Sequence, residues 1–446
     1  VTLIDLTAPA VRDNRLDVLP VAVIGAGPIG LAAAANLTER GIPFVVYEAG
    51  DAVADSIAQW AHIRLFSPWK HLVDPASRRL LEDAGWQHPA NDGLPTGGEL
   101  IGSYLHPLAA LPQLAEHIHT GVEIVAVSRA GMDRTRTAGR AQTPFLLRLR
   151  DDDGTVTEVT ARAVIDSSGT YRSPNSLASS GLDPLGLPEV ADLVSHALPD
   201  VLGHDRIQFA GRHTVVVGAG HSAANTLLNL AQLADTEAGT TISWVIRNAS
   251  AVRVTSSADD ELAARASIGR RVDQLVADGR IEVVDRFEII RLHRDDDRIA
   301  LTGSRAGTVT TLTGDTVVNA TGFRPDLDML REIRLDLDEI VEAPRRLAPL
   351  IDPNIHNCGT VAPHGVTELR QPEPDFYLAG MKSYGRAPTF FLATGYEQVR
   401  SIVAHLDGDH AAASAVALTL PATGVGSSDQ SSEASCCGTA TEASWS

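Results

Sequence analysis

Val21-Ala-Val-Ile24-Gly25-Ala-Gly27-Pro-Ile-Gly30, near the start of the 446-residue chain, decides the fold. Pro20 to Gly25 reads as a buried strand, Pro28 to Arg40 as a helix, and Pro43 to Glu48 as a second strand. Parallel strands joined by helices build a doubly wound α/β sheet. In such a unit Gly25 permits the tight turn, Gly27 lets the backbone approach a pyrophosphate, and Gly30 allows close helix–strand packing. Ala26, Pro28 and Ile29 complete the dinucleotide-contacting turn. The helix that follows presents free N–H groups and the positive end of its dipole to the phosphates. Glu48 ends the next strand eighteen residues past Gly30, where a carboxylate can accept hydrogen bonds from ribose hydroxyls.

The same strand–glycine–helix–strand order returns about 190 residues later, at Thr214–Gly218, Ser222–Ala234 and Thr241–Arg247. Its glycine motif is Gly218-Ala-Gly220-His-Ser-Ala223, with Ala223 as an accepted replacement for the third glycine. Here the strand end carries Arg247 and no acid. A guanidinium there pairs with a 2′-phosphate, so the second fold is expected to take NADPH in preference to NADH. His221 and Ser222 are expected to line the phosphate loop and cap the helix; as sequence neighbours they are poorly placed to act as a catalytic pair. An N-terminal fingerprint to which the chain later returns is expected to hold FAD. That return is marked by a strand at Phe376–Gly380 and a helix at Gly395–Leu406.

The fold class expected is therefore α/β: two nested Rossmann-like dinucleotide-binding domains, each with a parallel sheet, helices and a β-meander. Residues 1–204 would form the first part of the FAD domain, 205–322 the inserted NADPH domain, and 323–410 the second part of the FAD domain. Residues 411–446 would be a disordered tail of Ala, Ser, Thr and Gly. Between the landmarks, Phe145–Leu149 and Val156–Ile165 read as a β-meander, turned by Asp151, Asp152, Asp153 and Gly154.

Composition agrees with two or three domains and an ordinary soluble chain, 44% hydrophobic and 21% charged. A net charge of −19, with acids scattered along the chain, argues against nucleic acid. Val18–Ala35 is apolar and ends in small residues, but no basic cluster precedes it as in a signal peptide. No run is long enough to span a bilayer, so no membrane partner is expected. Three cysteines, two of them adjacent, make no disulfide framework and point to a reducing cytoplasm. His117-Ile-His119 has metal-ligand spacing without a third ligand, and reads as a surface strand.

Ala320-Thr-Gly322-Phe323 is similar to the ATG motif at which two-domain flavoproteins cross back to the flavin domain. Asp166-Ser-Ser-Gly169-Thr-Tyr-Arg-Ser-Pro174 resembles the earlier crossing, and Phe376-Tyr-Leu-Ala-Gly380 the last flavin motif. From about Leu19 to Leu406 the chain thus resembles the superfamily of flavin monooxygenases and pyridine-nucleotide disulfide reductases. Met381 and Lys382 stand where the reductases place an Asp on the ribityl chain. Trp60 and Arg64-Leu-Phe-Ser67-Pro-Trp69 look like the monooxygenase stretch beside the isoalloxazine, although the double glycine before the tryptophan is missing. Phe209-Ala-Gly211-Arg-His213 resembles the monooxygenase fingerprint only loosely. No CxxC is present, whereas a disulfide reductase needs a dithiol near the flavin. Cys358 reads as an apolar filler.

The resemblance implies a monooxygenase: NADPH reduces FAD, and molecular oxygen then gives a C4a-(hydro)peroxyflavin. That species would oxygenate a small soft-nucleophile or carbonyl substrate. Gly169 and Gly380 join the FAD contacts. Trp60, Arg64, Ser67, Lys382, Arg386 and Thr389 are the flavin-proximal candidates, with Arg64–Ser67 and Gly380–Thr389 approaching the ring from two sides. Lys382 and Arg386 would stabilise anionic reduced flavin or form interdomain salt bridges. Cys436 and Cys437, vicinal thiols in the tail, can chelate soft metalloids or accept electrons. With the phrase Gly380–Thr389 they resemble flavoproteins of bacterial arsenic-resistance clusters. The alternatives are a flavin-dependent thiol, disulfide or metalloid reductase using that pair, and a non-enzymatic metalloid-binding or redox-sensing flavoprotein. A tail acting in trans would require a homodimer.

Overall fold

In the computed structural model, which describes residues 16, 18–249, 263–352, 361–387 and 390–418, two five-stranded parallel sheets carry the two glycine motifs. The first sheet runs in the order Phe376–Leu378, Ala163–Asp166, Val21–Ile24, Phe44–Tyr47 and Ile118–His119, every neighbouring pair parallel. Ile24 pairs with both Tyr47 and Asp166. The turns after these three strands therefore leave the sheet side by side, at its carboxyl edge, where open α/β sheets bind ligands.

The central strand Val21–Ile24 is buried at every position because both faces are covered. Val21 and Val23 point into the core shared with the helix Pro28–Glu39, while Ala22 and Ile24 point toward the meander residues Phe145 and Leu147. The helix itself is buried continuously from Ile29 to Leu37. Such all-round burial needs cover on its outer side, and the helices Leu392–Leu406 and Pro75–Asp83 supply it.

The second sheet runs Glu282–Val284, Thr241–Val245, His213–Val217, Thr316–Asn319 and Val194–Ser195, again all parallel. Its edge strand Val194–Ser195 lies upstream of residue 205, so the second fold draws on the chain earlier than the expected division. Two residues are too short to show a strand pattern, which is why the sequence reading passed over them. Each parallel sheet is accompanied by an antiparallel meander. One is Val122–Arg129, Phe145–Asp151 and Val156–Ala161; the other is Phe287–Asp295, Arg298–Arg305 and Thr308–Gly314.

The stretch Val156–Ile165 corrects the sequence reading. It is two strands in two sheets, divided at Arg162. Val156–Ala161 is largely exposed meander edge, whereas Ala163–Asp166 is wholly buried between Val21–Ile24 and Phe376–Leu378. The turn over Asp151–Gly154 forms as expected, with Gly154 N–H donating to Asp151 O at 2.9 Å. His119 ends an edge strand and stacks on Tyr47, while His117 lies against Phe44. Buried Glu373 pairs with Arg129 and Arg140, both at 2.8 Å, tying the first meander to the segment entering Phe376–Leu378. Among the described residues no helix is long and apolar enough to cross a membrane.

Candidate functional site at the two glycine loops

The first loop is built by contacts that only glycine allows. Gly25 has φ +93°, and a Cβ there would lie 2.9 Å from Ser168 Cα. A Cβ on Gly30 would lie 1.9 Å from Gly25 O, so the helix can sit this close to the strand only without one. Gly27 differs: its φ is −76° and a Cβ would meet nothing within 4 Å. The backbone is thus bare where a phosphate must approach and crowded where the helix must pack. Glu48 closes the loop from the next strand. Its carboxylate accepts from Ala26 N–H at 2.7 Å and Gly50 N–H at 2.8 Å. Since a carboxylate offers about four acceptor positions, both oxygens keep capacity for ribose hydroxyls.

The second loop repeats this division of labour. A Cβ on Gly218 would lie 2.1 Å from Ala320 O, while Gly220, the helix N-cap at φ −93°, has nothing within 4 Å. Ala223 is fully buried in helix–sheet packing. Trp244 fixes the turn by donating its indole N–H to Gly218 O at 2.6 Å, a contact the sequence reading did not single out. Arg247 lies exposed two residues past the strand Thr241–Val245. His221 and Ser222 occupy the first helical positions, but the helix has no side-chain cap, which corrects that expectation; Gly220 supplies the N-cap position with its backbone alone.

The two crossings are stitched together. Asn175 N–H donates to Gly322 O and Arg324 N–H to Ser173 O, both at 2.9 Å. The rings of Tyr171 and Phe323 pack tilted by 32° with centroids 5.1 Å apart, and Asn319 donates its amide to Asn175 O at 3.0 Å. Asn175 was missed from sequence because it lies just beyond the quoted motif. Beside Tyr171 a cavity of about 300 Å³ is lined by Gln59, Ser195, His196, Asp205 and Gln208 among others.

The flavin-proximal candidates separate into groups. Lys382 is buried, its Nζ 2.7 Å from Asp166 Oδ2 and 3.0 Å from Ser168 Oγ. Arg386 is exposed and paired with Glu342 at 2.7 Å. Both pairs join parts of the first fold, so neither is the interdomain bridge the sequence suggested. Gly380 (φ +69°) packs on Ile29 of the first glycine motif, where a Cβ would come within 3.1 Å. Gly169 also has positive φ, at the first crossing. Trp60 packs beneath Gly97. Arg64 is exposed, bonded to Leu94 O and 3.6 Å from Glu99, so its charge is engaged on its own loop. Phe66, next to partly buried Ser67, contacts His221 at 5.4 Å. Hence the run Gly380–Ala387 meets the first glycine loop, whereas Arg64–Ser67 meets the second. Thr389, Cys358, Cys436 and Cys437 lie outside the described residues.

Comparison with known proteins agrees with this architecture. Residues 153–357 match the family model of pyridine nucleotide-disulphide oxidoreductases, and residues 23–74 that of an NAD(P)-binding Rossmann-like domain. The indole-3-pyruvate monooxygenase YUCCA1 of Oryza sativa subsp. japonica is 29% identical over 53% of this chain and 50% of that protein. The chain thus spans about half the length of the curated relatives it matches. Among solved structures, the bacillithiol disulfide reductase Bdr of Bacillus cereus superposes with TM-score 0.65 at 19% identity, covering 87% of this chain and 99% of that one. The cadaverine monooxygenase DfoA of Erwinia amylovora, bound to FAD, superposes with TM-score 0.60 at 13% identity, over 91% and 98%. At these identities the superpositions establish the fold. Two glycine loops, two crossings and two partial family matches in one chain give it the architecture of the flavin- and NAD(P)H-dependent oxidoreductases with two dinucleotide-binding domains, which it resembles.

Proposed function

We propose that the chain is an NADPH-dependent FAD monooxygenase acting on a small soft-nucleophile or carbonyl substrate. The observation that carries the cofactor reading is the pair of loops in which one glycine is sterically compulsory and the next is left bare at a helix N-terminus. Gly25, Ala26, Gly27, Pro28, Ile29, Gly30 and Glu48 would hold FAD, with Gly169 and Gly380 at the strand ends beside them. Gly218, Gly220, His221, Ser222, Ala223 and Arg247 would hold NADPH. Oxygen transfer is favoured over disulfide reduction by the similarity to indole-3-pyruvate monooxygenases and by a sequence without CxxC.

When bound, FAD supplies hydride acceptance from NADPH and, once reduced, activation of molecular oxygen. The overall balance is one NADPH, one proton and one oxygen molecule consumed, one oxygen atom placed on the substrate and the other released as water. The chain's part is geometric. The helix N-termini orient two pyrophosphates, the stitched crossings Gly169–Asn175 and Ala320–Arg324 set one fold against the other, and Phe66 bears on the second loop at His221. The cavity beside Tyr171 offers room for a small molecule at the junction. The charge of Lys382 is neutralised by Asp166, so its role is to hold the turn at Gly380.

Anaerobic titration with NADPH tests this reading. One equivalent per FAD should complete the reduction. Uptake of a second two-electron equivalent would instead reveal a dithiol acceptor and assign the chain to the reductase class.

A further inference from the structure

The turn Gly380–Tyr384, which packs on Ile29 of the first glycine loop, is fastened from two sides. Lys382 fastens one side to Asp166 and Ser168. The other side is a buried chain of hydrogen bonds that no local sequence pattern marks. Gly380 N–H donates to Gln398 Oε1 at 2.8 Å. Ser383 Oγ donates to Gly380 O at 2.7 Å. The Gln398 amide nitrogen lies 2.9 Å from both Ser383 Oγ and His364 Nε2. His364 Nδ1 is 3.0 Å from Ala362 O. His364, Ser383 and Gln398 are at most 2% exposed.

Donor and acceptor roles in this chain follow from chemistry. A carbonyl only accepts, so His364 carries its proton on Nδ1 and presents Nε2 as a bare acceptor. The backbone N–H of Gly380 only donates, so the Gln398 oxygen must face it and the amide NH₂ must face Ser383 and His364. Each group thereby fixes the next. Protonating His364 would set an Nε2–H against the Gln398 NH₂, two donors face to face. Turning the amide to relieve this would abandon the Gly380 N–H.

We propose that His364 is a positioning residue for FAD. As a neutral imidazole it sets the Gln398 amide that holds the Gly380 turn against the first glycine loop, and its protonation loosens flavin binding. This rests on the reading of that loop as the FAD site. The groups facing His364 are Glu368 from the helix Val366–Leu369, Glu397 from the helix Leu392–Leu406, and the Tyr384 ring at 5.7 Å. Glu368 accepts from Gly365 N–H at 2.9 Å and Glu397 is paired with Arg400 at 2.6 Å. Burial outweighs both carboxylates and lowers the His364 pKa below the ordinary histidine value. The imidazole is therefore neutral at pH 7.5. The unlatched state takes up its proton from about pH 6.5 downward, so flavin retention should fall over that range.

The test is the FAD dissociation constant of the full chain, read by flavin fluorescence from pH 7.5 to 5.5, in wild type, His364→Gln and Gln398→Leu. Wild type should bind FAD more weakly at pH 5.5 than at pH 7.5, by up to about tenfold, the most that one proton taken up from about pH 6.5 can give. His364→Gln, which offers an acceptor oxygen but cannot take a proton, should match wild type at pH 7.5 and lose most of the pH dependence. Gln398→Leu should bind weakly at both. A flat wild-type profile, which requires no variant to fold, overturns the proposal. So does an unchanged profile in His364→Gln. If wild type binds no FAD at any pH, the FAD site assignment fails instead.

Discussion

Replacing Gly27 by alanine should leave the stability of the protein without cofactor nearly unchanged and weaken FAD binding. At φ −76° and ψ −173° the backbone of Gly27 suits any L-residue, and its Cβ would touch nothing within 4 Å. Gly→Ala in such a conformation stabilises by about 0.4–1 kcal/mol through the unfolded chain, and the poorer N-cap that alanine makes offsets that gain. The added methyl stands on the approach of the pyrophosphate to the helix N-terminus. Losing even one charge-assisted hydrogen bond there costs about 1.5–3 kcal/mol, or roughly 10- to 150-fold in affinity. Gly220→Ala should behave in parallel toward NADPH. The controls are Gly30→Ala and Gly218→Ala, whose Cβ atoms would lie 1.9 Å from Gly25 O and 2.1 Å from Ala320 O. Those two should destabilise the apoprotein as well as the complex. Thermal melting of apoprotein and FAD titration by fluorescence quenching give both readouts. Wild-type FAD affinity in a stable Gly27→Ala protein would refute the placement of the pyrophosphate over this loop.

Three further perturbations follow from single contacts. Arg247→Ala should raise the Michaelis constant for NADPH by about tenfold and leave that for NADH unchanged, as expected for loss of a 2′-phosphate pair; an equal effect on both would remove the basis for NADPH selectivity. Lys382→Met strands the Asp166 carboxylate in the interior and should cost about 3–5 kcal/mol in denaturant unfolding, most of it recovered when Asp166→Asn is added. Asp74 accepts from Ser77 N–H at 2.7 Å in a fully buried site, and burial pushes its carboxyl pKa up to about 6. Because the folded value is the raised one, its contribution to stability is complete below about pH 4 and is lost as pH rises through about 6. Asp74→Asn should flatten that part of the stability profile, read from unfolding midpoints between pH 4 and 7.

Both glycine loops were legible because their chemistry is local. A turn that admits only glycine, a helix start and a strand-end Glu48 or Arg247 are all written within about thirty residues. The crossings were visible for the same reason. What escaped the sequence depends on partners far along the chain. Lys382 meets Asp166 across more than two hundred residues, and Gln398 meets His364 across thirty-four. Neither charge nor amide shows in a local pattern whether it faces a ligand, solvent or a buried partner. Arg386 and Arg64 illustrate the cost of that ambiguity, since both read as flavin-proximal and each lies beside a nearby carboxylate. The division of Val156–Ile165 between two sheets is of the same kind, because β-propensity is blind to which neighbour a strand will find.

Oxygen transfer as the fate of the reducing equivalents is tested most directly by rapid mixing. Protein reduced anaerobically with one equivalent of NADPH is mixed with oxygenated buffer, and the flavin spectrum is followed. A monooxygenase predicts a distinct near-ultraviolet absorbing phase between the reduced and oxidised spectra, shortened when a competent substrate is present. Direct return of the oxidised spectrum, with reducing equivalents passing to protein thiols, would contradict the monooxygenase reading and make the chain a reductase.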